Sequence, residues 1–187
     1  ARENNGEEMD PTTEHPFPKK NIKNFSRSVL VTGGAGYVGS HCCKFLAKNG
    51  YVPVVIDRNL RNQSVEFGPS FQIDLPINIQ ALDDIIVRYN IGSCIHFAGS
   101  ASVSESVADP SGYYKNNVIA TIALLDKLRE HEIKTFVYSS SAATYGDPGI
   151  RMAKESDTAK PINPYGATKL MMEQILRDYY IAYGMNS

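Results

Sequence analysis

The chain has 187 residues, 42% of them apolar, and a formal net charge of -1. That is one domain's worth of sequence with an ordinary core content. The near-neutral balance offers no basic face for nucleic acid or an anionic membrane. No apolar run approaches the roughly 18–20 residues that a membrane span needs.

Residues 1–26 are polar, carry Pro11, Pro16 and Pro18, and lack apolar periodicity, which predicts a disordered tail. The tail has no apolar h-region of a signal peptide. Residue 1 is Ala and the chain stops at Ser187 directly after a helical pattern, so both ends read as cut. Residues 27–187 are expected to fold as one unit. Val29-Leu30-Val31 reads as a buried parallel strand running into glycines. Tyr37 to Asn49 reads as a helix with Val38, Cys42, Phe45 and Leu46 inward, closed by Gly50. Val52 to Ile56 is a second strand, with Pro53 tolerable only near its start, ending in Asp57. After a polar loop come a short strand, Phe71-Gln72-Ile73, and a helix over Ile79 to Tyr89 with Leu82, Ile85 and Ile86 inward. Cys94 to Phe97 is strand four; a loop of small residues leads to a long helix from Pro110 to Glu130. Phe136-Val137-Tyr138 is strand five, and a proline-bearing loop precedes a last helix from Tyr165 to about Tyr183. Strands alternating with helices predict an α/β fold, a doubly wound parallel sheet of Rossmann-like type.

Two segments carry the chemistry. Gly33, Gly36 and Gly39 follow a strand and open a helix, which suits a dinucleotide's phosphates at a helix N-terminus. Asp57 lies 18 residues beyond Gly39, at the end of strand two, where a carboxylate meets the adenosine ribose hydroxyls. Arg58 could hold a 2′-phosphate, but Asp57 would repel it, so NAD is favoured over NADP. Asp74, ending strand three, is placed to meet the adenine edge. The second segment is Tyr165-Gly166-Ala167-Thr168-Lys169, which puts a phenol and an ammonium on one helix face. An ammonium close to a phenol favours its phenolate, a usable general base. Ser139 to Ser141 end strand five, at the sheet edge where ligands bind, so the Ser141 hydroxyl could share a substrate proton with Tyr165.

Other residues read as structural. His96 is expected to be a packed core histidine, and His41 and His131 to lie at the surface. Cys42, Cys43 and Cys94 form no metal-binding or redox spacing and are expected to be free, buried thiols in a reducing compartment. No metal site is expected.

Together these segments resemble the extended short-chain dehydrogenase/reductase family, and within it the 4-epimerases of UDP-glucose and UDP-galactose. The resemblance runs over about residues 28–182. It rests on Thr32 to His41, Val55 to Asp57 with Leu60, His96 to Gly99, Glu105-Ser106-Val107, Tyr113 to Val118, Ser139 to Gly146, and Pro161 to Lys169 with Leu170-Met171. The resemblance implies that Tyr165 accepts the proton of the sugar 4-hydroxyl. Lys169 tunes it and holds the ribose, and Ser141 contacts substrate. It implies an NAD site from Gly33, Gly36, Tyr37, Val38, Gly39, Asp57, Asp74, Leu75, Phe97, Ala98, Gly99 and Asn116, with Tyr165 and Lys169. It also implies UDP-sugar as substrate, epimerisation at C4 through a 4-keto sugar, a homodimer of the full-length protein through the helices near 110–130 and 165–183, and a cytoplasmic location. Three departures stand out. Arg58 is an extra residue after strand two, Ala101 replaces a lysine of several relatives, and the carboxyl-terminal substrate lobe is missing. The isolated chain is therefore expected to turn over little. The alternatives are an epimerase of another UDP-sugar such as UDP-arabinose, and an NAD-binding module without turnover. A 4,6-dehydratase fits less well, because Ser140 to Ala143 lacks an acidic pair.

Overall fold

The computed structural model describes residues 26–60, 67–75 and 77–187. The tail expected over residues 1–26 lies, apart from Ser26, outside the described residues, as does the middle of the loop after the second strand.

Five parallel strands form one sheet in the order β3-β2-β1-β4-β5. They are β1 (Ser28–Thr32), β2 (Val52–Asp57), β3 (Ser70–Gln72), β4 (Ile91–His96) and β5 (Phe136–Tyr138). The strand order reverses between β1 and β4, so a crevice opens at their carboxyl ends. Alternate residues of β1 and β2 feed two cores. Leu30, Val54 and Ile56 meet Leu82, Ile85 and Ile86 of α2 (Ala81–Arg88) and Leu124, Leu125 and Leu128 of α5 (Ala120–Glu130). Met172 and Leu176 of α6 (Pro164–Tyr183) close the same core. On the opposite face, Val29, Val31 and Val55 meet Cys43 of α1 (Tyr37–Lys48). Helices on both faces explain why the strands are apolar in continuous runs. Each buried Leu or Ile contributes about 1.5–3 kcal/mol.

The sequence reading needs correction on three elements. The inward face of α1 is Gly39, Cys43 and Leu46; of the residues expected inward only Leu46 packs on the core, while Val38 and Phe45 are exposed and Cys42 is half-buried. The cause is steric. A Cβ at Gly39 would lie 2.3 Å from the Gly33 carbonyl oxygen, so only this edge of the helix can sit against the glycine turn. The loop expected before Pro110 contains a short helix, α3 (Val103–Ala108), capped by Ser102, which accepts from the Glu105 amide at 3.3 Å. Ser102 and Glu105 have capping-box spacing, a signal the composition of the loop obscured. The long helix after it is interrupted: α4 (Pro110–Tyr114), a π-helical turn (Lys115–Ile119) and then α5. Beside β5, the edge strand, the carboxyl-terminal residues add a single bridge. Gly184, in a left-handed conformation, turns the chain out of α6. Asn186 then bridges to Thr135, and its carbonyl accepts from the Phe136 amide at 2.9 Å. The remaining shifts, such as β4 beginning at Ile91 and β3 at Ser70, are boundary adjustments.

The corrected face of α1 has a direct test by denaturant titration. Phe45→Ser should change stability by less than about 0.5 kcal/mol, as an exposed substitution does. Gly39→Ala should cost about 1–3 kcal/mol, because it overpacks backbone against backbone.

Candidate active site

The crevice between β1 and β4 begins with Gly33, whose φ of +68° turns the chain sharply. There is no room for a side chain: a Cβ would lie 2.6 Å from the Ala98 amide nitrogen. Gly36 follows as the N-cap of α1; a Cβ there would meet only the Gly33 carbonyl oxygen, at 3.3 Å. The space above it is therefore open to the first-turn amides of a 12-residue helix, a favourable setting for an anion. Asp57, at the end of β2, points back across this turn. Its carboxylate accepts from the Ala35 amide at 3.1 Å and from the Asn59 amide at 3.0 Å. Arg58, next to it, reaches over to the Asn116 side-chain carbonyl.

These groups border a cavity of about 430 Å³. Of the residues expected to hold a dinucleotide, the structure brings Gly33, Gly36, Tyr37, Asp57, Asp74, Leu75, Phe97, Ala98, Gly99 and Asn116 to it. Four are not among its lining: Val38, Gly39, Tyr165 and Lys169. Gly39 packs beneath the turn, and Val38 projects outward from α1. Thr32, Ala35, Ile73, His96, Ser100 and Ala120 also line it and were not singled out as ligand contacts. The cavity fits the group implied: an open helix N-terminus for phosphates, a carboxylate for hydroxyls, and apolar walls at Ile56 and Leu75.

The second part of the site is built where α6 meets the end of β5. Asn163 caps α6 by accepting from the Gly166 amide at 2.8 Å, with Pro164 at the first helical position. Gly166 lies so close to the turn after β5 that a Cβ would be 2.4 Å from the Ala143 carbonyl oxygen. That turn, the 3-10 segment Ala142–Tyr145, starts at Ser141, whose hydroxyl accepts from the Ala143 amide at 3.2 Å. One turn along α6, Lys169 is buried. Its ammonium donates to the Ser139 carbonyl oxygen at 2.7 Å. It lies 4.8 Å from the Tyr138 ring centroid and 5.9 Å from that of Tyr165. Burial pulls its pKa down to about 8, so it is largely charged at neutral pH and poorly solvated. Burial also pushes the neighbouring Tyr138 phenol well up, reinforced by Tyr165 and Glu173, and keeps it neutral.

A polar spine joins the two parts. Asn117, buried in the π-helical turn, accepts from the Ser100 amide at 2.8 Å and donates to the Ser100 carbonyl at 2.9 Å. It also donates to the Thr168 hydroxyl at 3.2 Å, and that hydroxyl donates to the Tyr165 carbonyl at 2.7 Å. His96 is the packed histidine that was expected. Thr121 donates to the Asn117 carbonyl at 2.8 Å and so accepts from His96 Nε2 at 3.0 Å, which assigns the proton to Nε2. His96 Nδ1 then accepts from the Thr32 hydroxyl at 2.6 Å. Burial, with the Lys169 charge nearby, holds the imidazole neutral and drops its pKa to about 3. Elsewhere, His41 is exposed and bonded to the Tyr37 carbonyl, and His131 is half-buried against Asp83 at 2.7 Å. All three cysteines are free, and burial pushes the Cys43 thiol up to about 12.

A family model described as NAD dependent epimerase/dehydratase family matches residues 29–187. The chain belongs to this family. Among its relatives, the UDP-glucose 4-epimerase of Rhizobium meliloti is 45% identical over 165 residues, covering 87% of this chain and 50% of the relative. A UDP-glucose 4-epimerase from Brucella ovis, solved in complex with NAD, superposes with a TM-score of 0.80 at 44% identity, over 84% of this chain and 49% of that one. The enzyme from Bifidobacterium longum, solved with NAD+ and UDP, gives 0.75 at 35% identity, over 83% and 49%. The chain thus spans about half the length of the curated relatives it matches. The solved structures of this epimerase/dehydratase family bear out the doubly wound, Rossmann-like sheet.

Sequence reasoning missed Asn117, although it named Asn116 beside it. Two successive asparagines inside a helix were the available signal, since Asn competes with the helix for backbone hydrogen bonds.

The neutral core histidine makes stability depend on pH. The folded pKa of His96 lies below the unfolded value of 6.5, so the unfolded state binds more protons between about 3 and 6.5. Its stabilising contribution is complete above pH 6.5 and is lost as pH falls toward 3. Unfolding free energies from denaturant titration at pH 7 and pH 5.5 should differ by about 1.2 kcal/mol more in the wild type than in His96→Gln. Equal slopes would remove this role.

Proposed function

We propose that this chain is the cofactor-holding half of an NAD-dependent UDP-hexose 4-epimerase that interconverts UDP-glucose and UDP-galactose through a 4-keto sugar. One observation carries the reading: a buried lysine ammonium lies near two tyrosine rings, one of which stacks on His96 in the wall of the open crevice. A relative named UDP-glucose 4-epimerase aligns over 87% of this chain. Residues 27–187 act in this reading as the nucleotide-binding domain.

Bound NAD supplies the acceptor and donor of a hydride at C4. The chain's own residues do the rest. The first-turn amides of α1 meet the pyrophosphate over Gly36, with Gly33 and Gly39 shaping the turn. Tyr37 and Val38 flank it, and Asp57 takes the adenosine ribose hydroxyls. A 2′-phosphate there would face the Asp57 carboxylate, which favours NAD over NADP. Asp74 and Leu75 border the adenine. Phe97, Ala98, Gly99 and Asn116 form the wall across the crevice. Tyr165 accepts the proton of the 4-hydroxyl at its phenol oxygen and later returns it. Lys169 supplies charge beside that phenol and a donor for the nicotinamide ribose. Ser141 hydrogen-bonds the sugar hydroxyl. The UDP-sugar is the substrate, no nucleic acid or membrane is engaged, and three free thiols suit the cytoplasm. A homodimer of the complete protein through α4–α5 and α6 accords with exposed Ile119 and Met171 on those segments.

Two measurements test this. Calorimetry on the chain should show NAD binding more tightly than NADP by at least about tenfold, a difference of about 1.4 kcal/mol. In the complete protein, Tyr165→Phe should lower kcat for UDP-galactose by about 10²–10⁴-fold while NAD stays bound. A chain that binds no NAD, or a Tyr165→Phe enzyme at full rate, overturns the reading.

A further inference from the structure

Tyr165, Lys169 and Glu173 recur at i, i+4 and i+8, so they form one stripe along α6. The stripe faces the end of β5 and touches it at successive heights. Gly166, beside Tyr165, abuts the Ala143 carbonyl. Lys169 Nζ donates to the Ser139 carbonyl at 2.7 Å. The Ser140 hydroxyl donates to Glu173 Oε1. The first two attachments have evident roles in the site, as close packing and as charge. The third does not: Glu173 is two helical turns from Tyr165. Among the described residues no lysine or arginine pairs with Glu173, and its half-buried carboxylate is tied instead to a serine hydroxyl. Charge-assisted hydrogen bonds of this kind are short and directional.

We infer that Glu173 is a positioning residue: by holding Ser140 it sets where the end of β5 lies against α6, and so where Ser141 stands relative to Tyr165. Ser141 follows Ser140 directly and begins the turn that abuts Gly166. Backbone bonds hold the two ends of this segment: the Ser139 amide donates to the His96 carbonyl at 3.1 Å, and the Ser141 carbonyl accepts from the Thr144 amide at 3.1 Å. Between them, the Glu173 contact ties the Ser140 side chain, and with it this stretch of backbone, to α6. This inference rests on the epimerase reading, in which Ser141 and Tyr165 bond the same hydroxyl.

The test uses the complete protein that carries this chain, with turnover counted per molecule of bound NAD. Glu173→Ala and Ser140→Ala should each lower kcat about 10- to 100-fold, the effect of misplacing reacting groups by a fraction of an ångström to one. KM for the UDP-sugar should move by less than about threefold, because the group held acts on the reacting hydroxyl. The double variant should be no slower than the worse single one, since both remove one interaction. Glu173→Gln, which keeps an oxygen for the Ser140 hydroxyl, should recover a rate within about threefold of wild type. Ser140→Ala at wild-type kcat overturns the inference. So do losses that multiply in the double variant, or a Glu173→Gln enzyme as slow as Glu173→Ala. Tyr165→Phe separates the two levels. If it is inactive while Ser140→Ala is normal, only the positioning role falls; if it is fully active, the epimerase reading falls and this role with it.

Discussion

The whole site depends on one close approach. Where β1 ends, the Gly33 backbone runs so near the β4 loop that a side chain at residue 33 would collide with the Ala98 backbone. Gly39 repeats the constraint one turn into α1, against Gly33 itself. These two contacts bring the N-terminus of α1 over the sheet edge at the point where the strand order reverses. A crevice is unavoidable there, because the crossovers to either side of β1 lead to opposite faces of the sheet. The same contacts set the rotation of α1, which is why Phe45 is exposed and Cys43 is not.

A second constraint makes the two halves of the site one object. The β4 loop, the π-helical turn and α6 come from distant parts of the chain, yet Asn117 bonds to Ser100 and to Thr168. Its amide is buried, and each of its bonds would leave an unsatisfied group if broken, a cost of about 1–3 kcal/mol. The π-helical turn gives it this reach. One residue is squeezed out of the α-helical repeat, and π-bulges often mark functional positions. His96 extends the spine from Thr32 to Thr121 with a single assignable proton direction. A neutral imidazole in that place keeps the floor of the crevice uncharged beside the Lys169 ammonium.

The chemistry follows from where water is excluded. Lys169 is held by a carbonyl and two aromatic rings, without a carboxylate partner among the described residues. Its charge therefore sits in a poorly solvated setting, where Coulomb interactions are stronger than in water. A carboxylate in contact would have neutralised that charge. The acidic residue on the same stripe, Glu173, is instead engaged by Ser140.

Much of this was legible in the residues themselves. Short apolar runs located all five strands, and 3.6-residue periodicity the helices at Tyr37, Ala81 and Pro164, since strands covered on both faces are apolar throughout and helices on one side only. The glycine spacing was legible too, since the structure brings Gly33 and Gly36 to the crevice, and the four-residue interval of Tyr165 and Lys169 puts both on one face of α6. The π-helical turn, the true inward face of α1 and the partners of Asn117 and Glu173 were decided by tertiary structure. Each depends on contacts between segments far apart in the chain: Gly39 on Gly33 backbone, Asn117 on Thr168, Glu173 on Ser140. The sequence by itself determined the elements and the reactive residue types. Only the folded chain decided which polar atoms meet, because a buried hydrogen bond is set by where two backbones come to lie and not by the identity of either residue.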